Sequence, residues 1–207
     1  MRGWYLFAYT LSKFILRVFF RMRVIYPERL LEEGGVIYAA NHASYLDPPI
    51  IGTSCKQPIY YLARKTLMKW PVLGPIFPSL NVVPVDQERA DMSALKTIIK
   101  LVREGHRTII FPEGARTLDG QLQPAQPGLG LVVSKTRAPV VPMRIFGSYE
   151  AFPRGASRIK LARITVVVGE PILFTDADFA TGRDAYQKIS ERVMAAIASL
   201  QLPDGKN

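Results

Sequence analysis

Apolar residues along this chain recur in two rhythms, and the alternation between them sets out the architecture. Residues 4–23 are greasy on most sides, with Leu6, Phe7, Phe14, Ile15, Leu16, Val18, Phe19 and Phe20 among the apolar members. At about 100° per residue, Thr10, Lys13, Arg17 and Arg21 fall on one narrow stripe, which predicts a long amphipathic helix or a bent pair of helices. Short apolar runs follow at residues 35–40, 58–62, 81–86, 108–111, 138–147 and 164–169, each of strand length. Pro84 demotes the third of these to an edge or a strand end. Helical patterns alternate with the runs. One helix is expected to start at Asp47-Pro48, because Asp caps and proline fits the first turn. Residues 63–70 predict a short basic helix. Asp91 opens another to Arg103, with Leu95, Ile98, Ile99 and Val102 at core-facing spacing and Gly105 as its stop. Residues 128–135 read as a small-residue helix packed close to the sheet, and residues 184–200 as an amphipathic helix. With no internal repeat and no long linker, the pattern predicts one α/β domain over residues 26–207. Its central sheet is mostly parallel and flanked by helices, and a helical segment over residues 1–25 precedes it.

Charge adds to the picture of that first segment. The 207 residues carry 27 Lys and Arg against 17 Asp and Glu, a formal +10, which suits an anionic partner. The basic residues are not interleaved with a recognisable nucleic-acid motif, so membrane lipids with anionic headgroups are the expected partner and nucleic acid is not. Crossing a bilayer takes about 20 apolar residues, and Lys13 and Arg17 would lie inside the span. The segment ends in Phe19-Phe20-Arg21-Met22-Arg23 and not in a small-residue cleavage site, which argues against a signal peptide. A helix lying in one leaflet, cations toward the headgroups, is the expectation. One cysteine, Cys55, excludes an intrachain disulfide and a cysteine-based zinc site, and two histidines make a His-rich metal site unexpected.

Candidate chemistry gathers where two apolar runs end. The run at residues 35–40 opens into Asn41-His42-Ala43-Ser44-Tyr45-Leu46-Asp47, which places His42 in the loop leaving a strand and Asp47 at the mouth of the next helix. In an open α/β sheet, loops at the carboxyl ends of strands are where ligands bind. A tight turn can return the Asp47 carboxylate to one imidazole nitrogen, fixing the tautomer and leaving the other nitrogen to act as a general base. The run at residues 108–111 opens into Pro112-Glu113-Gly114-Ala115-Arg116-Thr117. Glycine lets backbone approach a ligand, and guanidinium matches phosphate bidentately. Each block alone has a bland reading, a satisfied His–Asp pair or a Glu–Arg pair closing a turn. Their repetition at two strand ends favours a base with its orienter beside a phosphate clamp. His106, after Gly105, reads as a surface residue.

Together the blocks resemble those of the glycerolipid acyltransferase superfamily, most closely the bacterial 1-acylglycerol-3-phosphate acyltransferases. The family's His-x4-Asp block is matched by His42 through Asp47, its Phe-Pro-Glu-Gly-Thr-Arg-Ser block by Phe111 through Thr117, and a later Val-Pro strand by Val140-Val141-Pro142. The chain departs from the pattern in three places. Asp86 is followed by Gln87 and Glu88 where members commonly carry Arg, with Arg89 three positions on. Ala115 replaces Thr, and Gln126 stands where Lys is frequent. The resemblance implies His42 and Asp47 as catalytic residues, and Glu113, Gly114, Arg116 and Arg89 as substrate-binding ones. It implies acyl transfer from acyl-CoA or acyl carrier protein to a lysophospholipid, with no further cofactor, at the cytoplasmic face of the inner membrane. No Gly-x-Ser-x-Gly elbow is present, and Ser44 lies too close to His42 for a persuasive nucleophile, which favours direct transfer. Two alternatives stand beside this: an acyltransferase or transacylase for another lysolipid, and a non-catalytic basic protein docked on anionic lipid.

Overall fold

Seven strands form one sheet in the computed structural model, which describes residues 3–69, 80–85, 92–179 and 183–203. They are β1 (Arg23–Ile25), β2 (Val36–Ala40), β3 (Ile59–Arg64), β4 (Val82–Val85), β5 (Arg107–Ile110), β6 (Val140–Phe146) and β7 (Thr165–Val168). Their order across the sheet is β1-β7-β6-β2-β5-β3-β4, and every pairing is parallel except β6 with β7. All of β2 is buried, as a parallel strand covered on both faces must be. Val36, Tyr38 and Ala40 pack with α2 (Asp47–Ser54) and the end of α1 (Gly3–Phe19) on one side. Ile37 and Ala39 pack under α3 (Met92–Arg103), α4 (Gly128–Thr136) and α6 (Arg183–Ser199) on the other. A single turn, α5 (Ser148–Ala151), follows β6.

Register positions the chemistry. Ala39 of β2 lies opposite Ile110 of β5, in parallel. Residues 42 and 113 each sit three positions further on, so the two motif blocks leave the carboxyl ends of these neighbouring strands side by side.

Several elements differ from the hydrophobic pattern. The N-terminal helix stops at Phe19 instead of running to residue 23, because pairing with the sheet takes over. Met22 N–H closes onto Leu16 O, Ile164 N–H bonds to Phe20 O and Arg23 N–H to Ile164 O, which makes Arg23–Ile25 an edge strand. Residues 63–69 are not an α-helix. β3 runs on to Arg64 against β4, and Lys65–Lys69 is a 3-10 turn. Gly130 of α4 approaches α6 and not the sheet: a Cβ there would run into the carbonyl of Tyr186, and its N–H donates to Ser190 Oγ at 2.9 Å. β4, with Pro84, is the edge strand that its proline requires. Gly105, at φ +84°, ends α3 in the left-handed region that glycine enters without strain. His106 follows and packs on Tyr60. Asp91 and Arg89 lie outside the described residues.

α1 has an inverted pattern for a core helix. Tyr5 and Leu16 are buried, Tyr5 OH accepts from Ile59 N–H, and Tyr9 OH donates to Cys55 O at 3.0 Å, which fastens the helix to α2 and β3. Its outer face carries Trp4, 66% exposed, and Phe7 and Phe14, each 59% exposed, with Leu11, Val18 and Phe19. No helix among the described residues is long and apolar enough to cross a membrane.

Candidate active site

The site begins with Asn41, the first residue past β2. Its side-chain amide donates to Ile145 O and its oxygen accepts Ile145 N–H, at 3.1 and 2.7 Å, so a side chain continues the β2–β6 ladder where the backbone turns away. His42 is then held on three sides. Its N–H donates to Glu113 Oε1 at 2.7 Å, its carbonyl accepts Thr117 N–H at 2.9 Å, and its ring stacks on Phe111 with centroids 3.9 Å apart. Both backbone groups of the histidine are thus spent on the loop after β5.

Asp47 is the first residue of α2 but does not cap it. Residue 46 takes the cap position without a side-chain bond, and Pro48 and Pro49, which follow Asp47, have no N–H to offer a carboxylate. The Asp47 side chain therefore turns back. Oδ2 accepts from Ala43 N–H and Ser44 N–H at 2.7 Å each and meets His42 Nδ1 at 2.8 Å. Asp47 is fully buried, and its Oδ1 has no hydrogen-bond partner among the described residues. The carboxylate acts as an acceptor toward Nδ1, so the ring carries its proton there and Nε2 presents a lone pair. Among the described residues, Nε2 makes no hydrogen bond.

Glu113 does not pair with Arg116 among the described residues. Buried to 6% exposure, it gives Oε1 to His42 N–H and Oε2 to Gln123 N–H at 2.9 Å, so it braces two loops. Burial raises its pKa above the ordinary carboxylate value, the two backbone donors lower it, and the Asp47 charge adds to the rise. Gly114 is at φ +72°, a turn that a side chain would strain. Arg116 lies with its guanidinium carbon 3.5 Å from the centroid of Tyr45, and its buried Nη1 has no hydrogen-bond partner among the described residues. Tyr45 itself rests on Phe152, 5.1 Å between centroids. Ser44 Oγ is committed, donating to Phe152 O at 2.8 Å and accepting Leu46 N–H.

Of the six residues expected in the site, the structure brings His42, Asp47, Glu113, Gly114 and Arg116 together at the carboxyl ends of β2 and β5, while Arg89 lies outside the described residues. Sequence reasoning missed Asn41, Phe111 and Tyr45 as contributors. The first two open the two blocks, and the third is the aromatic within the His–Asp turn.

The sequence model of the family described as Acyltransferase matches residues 21–146, a span that contains both blocks. This chain belongs to the acyltransferase family. A 1-acyl-sn-glycerol-3-phosphate acyltransferase of Bacillus subtilis is 30% identical over 177 residues, 85% of each chain. A chloroplastic 1-acyl-sn-glycerol-3-phosphate acyltransferase of Brassica napus is 31% identical over 158 residues, which are 75% of this acyltransferase and 45% of the plant protein. The chain thus spans about half the length of the plant relatives it matches. The crystal structure of the 1-acyl-sn-glycerophosphate (LPA) acyltransferase PlsC from Thermotoga maritima shares the fold, with a TM-score of 0.70 at 23% identity over 97% of this chain and 90% of that one.

Proposed function

We propose that the chain transfers a fatty acyl group from an acyl thioester, acyl-CoA or acyl carrier protein, to the free hydroxyl of 1-acylglycerol-3-phosphate, giving phosphatidic acid. The observation that carries this reading is the 2.8 Å contact between His42 Nδ1 and Asp47 Oδ2, which leaves Nε2 to face a substrate. The names of the relatives support this choice of acceptor. In the proposed reaction, Nε2 takes the proton from the acceptor hydroxyl as its oxygen attacks the thioester carbonyl carbon. The C–S bond then breaks, and the thiolate leaves with the electron pair. A thiol of reference pKa about 8.5 departs without a strong acid, and the imidazolium can return the proton to it. Arg116, with its unpartnered Nη1, is the donor offered to the acceptor phosphate. The exposed apolar face of α1 and the formal charge of +10 support a chain that meets its lipid substrates at an anionic membrane surface.

The test incubates purified protein and His42→Ala with a panel of lysolipids and both thioester donors. Wild type should acylate 1-acylglycerol-3-phosphate, and the variant should be slower by about 10²–10⁴. Equal turnover by the two would end the general-base role; turnover of a different lysolipid alone would reassign the acceptor.

A further inference from the structure

The segment joining α5 to β7 is used by nothing in the proposed chemistry, yet its composition is one-sided. Between Glu150 and Glu170 there is no acidic residue, while Arg154, Arg158, Lys160 and Arg163 all fall there. All four are exposed, and none has a side-chain hydrogen bond or ion pair among the described residues. Set among them are two large apolar side chains turned to solvent, Ile159 at 53% and Leu161 at 71% exposure.

The segment is anchored at both ends. Ser44 forms a β-bridge with Pro153 and Tyr45 N–H bonds to Phe152 O, which ties its start to the His42–Asp47 turn. Ala156 N–H bonds to Pro153 O and Lys160 N–H to Ala151 O, at 3.2 and 2.8 Å, holding its middle. At its end, Ile164 N–H bonds to Phe20 O at 3.0 Å, immediately beyond α1. Leu161 is three residues from that bond, a reach of at most about 10 Å. The segment thus runs from beside the end of α1, whose exposed apolar residues extend to Val18 and Phe19, to the rim of the candidate site.

We propose that residues 154–163 are a second membrane-docking element. Together with α1 it seats the His42–Asp47 edge on an anionic bilayer, with Ile159 and Leu161 entering the interface and the four cations meeting lipid phosphates. The proposal rests on the reading that α1 meets a membrane. Alternation of cations with exposed aliphatic side chains, in a segment fastened beside the end of an apolar helix, fits a lipid surface. An acidic protein would match the cations but gives no reason for α1 beside them to carry an apolar face turned to solvent.

The experiment is co-sedimentation of the full chain with phosphatidylcholine vesicles, with and without phosphatidylglycerol. It compares wild type, Arg158→Gln/Lys160→Gln, Ile159→Ser/Leu161→Ser, and Phe7→Ser/Phe14→Ser in α1. A cation near an anionic surface is worth about fivefold, so the first double variant should lose about 25-fold on anionic vesicles and nothing on neutral ones. The second should lose about tenfold or more on anionic vesicles, at low and at high salt alike. Turnover of a short-chain acceptor dispersed in solution should be unchanged in both. Wild-type binding with no loss in either loop variant would overturn this proposal and leave the role of α1 standing. Failure of wild type to bind anionic vesicles would overturn both. Normal vesicle binding with weakened use of acyl carrier protein as donor would also overturn it, assigning the patch to an acidic protein.

Discussion

Replacing Asp47 by asparagine separates the charge of the orienting group from its shape. One oxygen, Oδ2, takes three donors, Ala43 N–H, Ser44 N–H and His42 Nδ1. A flipped amide would aim its NH2 at two backbone N–H groups, so the asparagine oxygen should stay where Oδ2 was, and Nδ1 should remain the protonated nitrogen. What is lost is the charge. An imidazolium and a carboxylate about 4 Å apart, centre to centre, attract by about 4 kcal/mol at an effective dielectric of about 20. The amide dipole keeps part of this, so the barrier should rise by about 3–4 kcal/mol and kcat/KM should fall by about 10²–10³. Stability should fall too. Hydrogen bonds to a charged acceptor contribute about 1.5–3 kcal/mol against about 0.5–1.5 for neutral ones, and the new NH2 would occupy the buried, unpartnered Oδ1 position. Together these cost about 2–4 kcal/mol. Thiol release gives the rate, urea unfolding the stability, and imidazole 15N shifts the tautomer. A loss of rate below tenfold, or a ring protonated on Nε2, would refute this account of the carboxylate.

Glu113→Gln tests the brace. The folded pKa of Glu113 is raised, so its share of stability is fully present below the unfolded value and is lost as pH rises through the folded one. Urea unfolding should therefore show the glutamine variant near parity with wild type at about pH 4 and gaining on it toward neutrality; a wild type that gains instead would mean a lowered pKa. Tyr45→Ala removes the ring under Arg116, a contact worth about 0.5–1 kcal/mol at a partly exposed site, and should raise KM for a phosphate-bearing acceptor about two- to fivefold, with Tyr45→Phe close to wild type. An unchanged KM in the alanine variant would mean that the ring does not position the guanidinium. Gly130→Ala would ordinarily favour a helix by about 1 kcal/mol, but here it should destabilise by about 1–3 kcal/mol, because the added carbon meets the Tyr186 carbonyl. A raised melting temperature would contradict the close approach of α4 to α6.

How much of this could be read from the sequence depended on separation along the chain. His42 and Asp47 are five residues apart, and their pairing followed from a tight turn. The local cause was different from the one expected, since Pro48 and Pro49 deny the carboxylate a cap and send it back to the histidine. The strand-helix alternation was legible because core-facing periods of two and 3.6 are written locally. The brace from Glu113 to His42 N–H spans 71 residues and depends on the β2–β5 register, which no local pattern specifies. β1 went unrecognised for the same reason: three residues continuing a greasy helix become strand only because β7 is there to pair with them. Residues 128–135 were read as a small-residue helix close to the sheet, but the close partner of Gly130 is on a helix more than fifty residues downstream.

The link from Asn41 to Ile145 spans 104 residues and bears on the order in which the chain is made. α1 is made before the His–Asp turn. The strand partner that aims this turn, and the Phe152 carbonyl that holds Ser44, arrive much later. A nascent chain released before that point would carry its greasy helix and its imidazole yet have no fixed base. Synthesis therefore leaves the His42–Asp47 turn without its far strand partner until about a hundred further residues have been added.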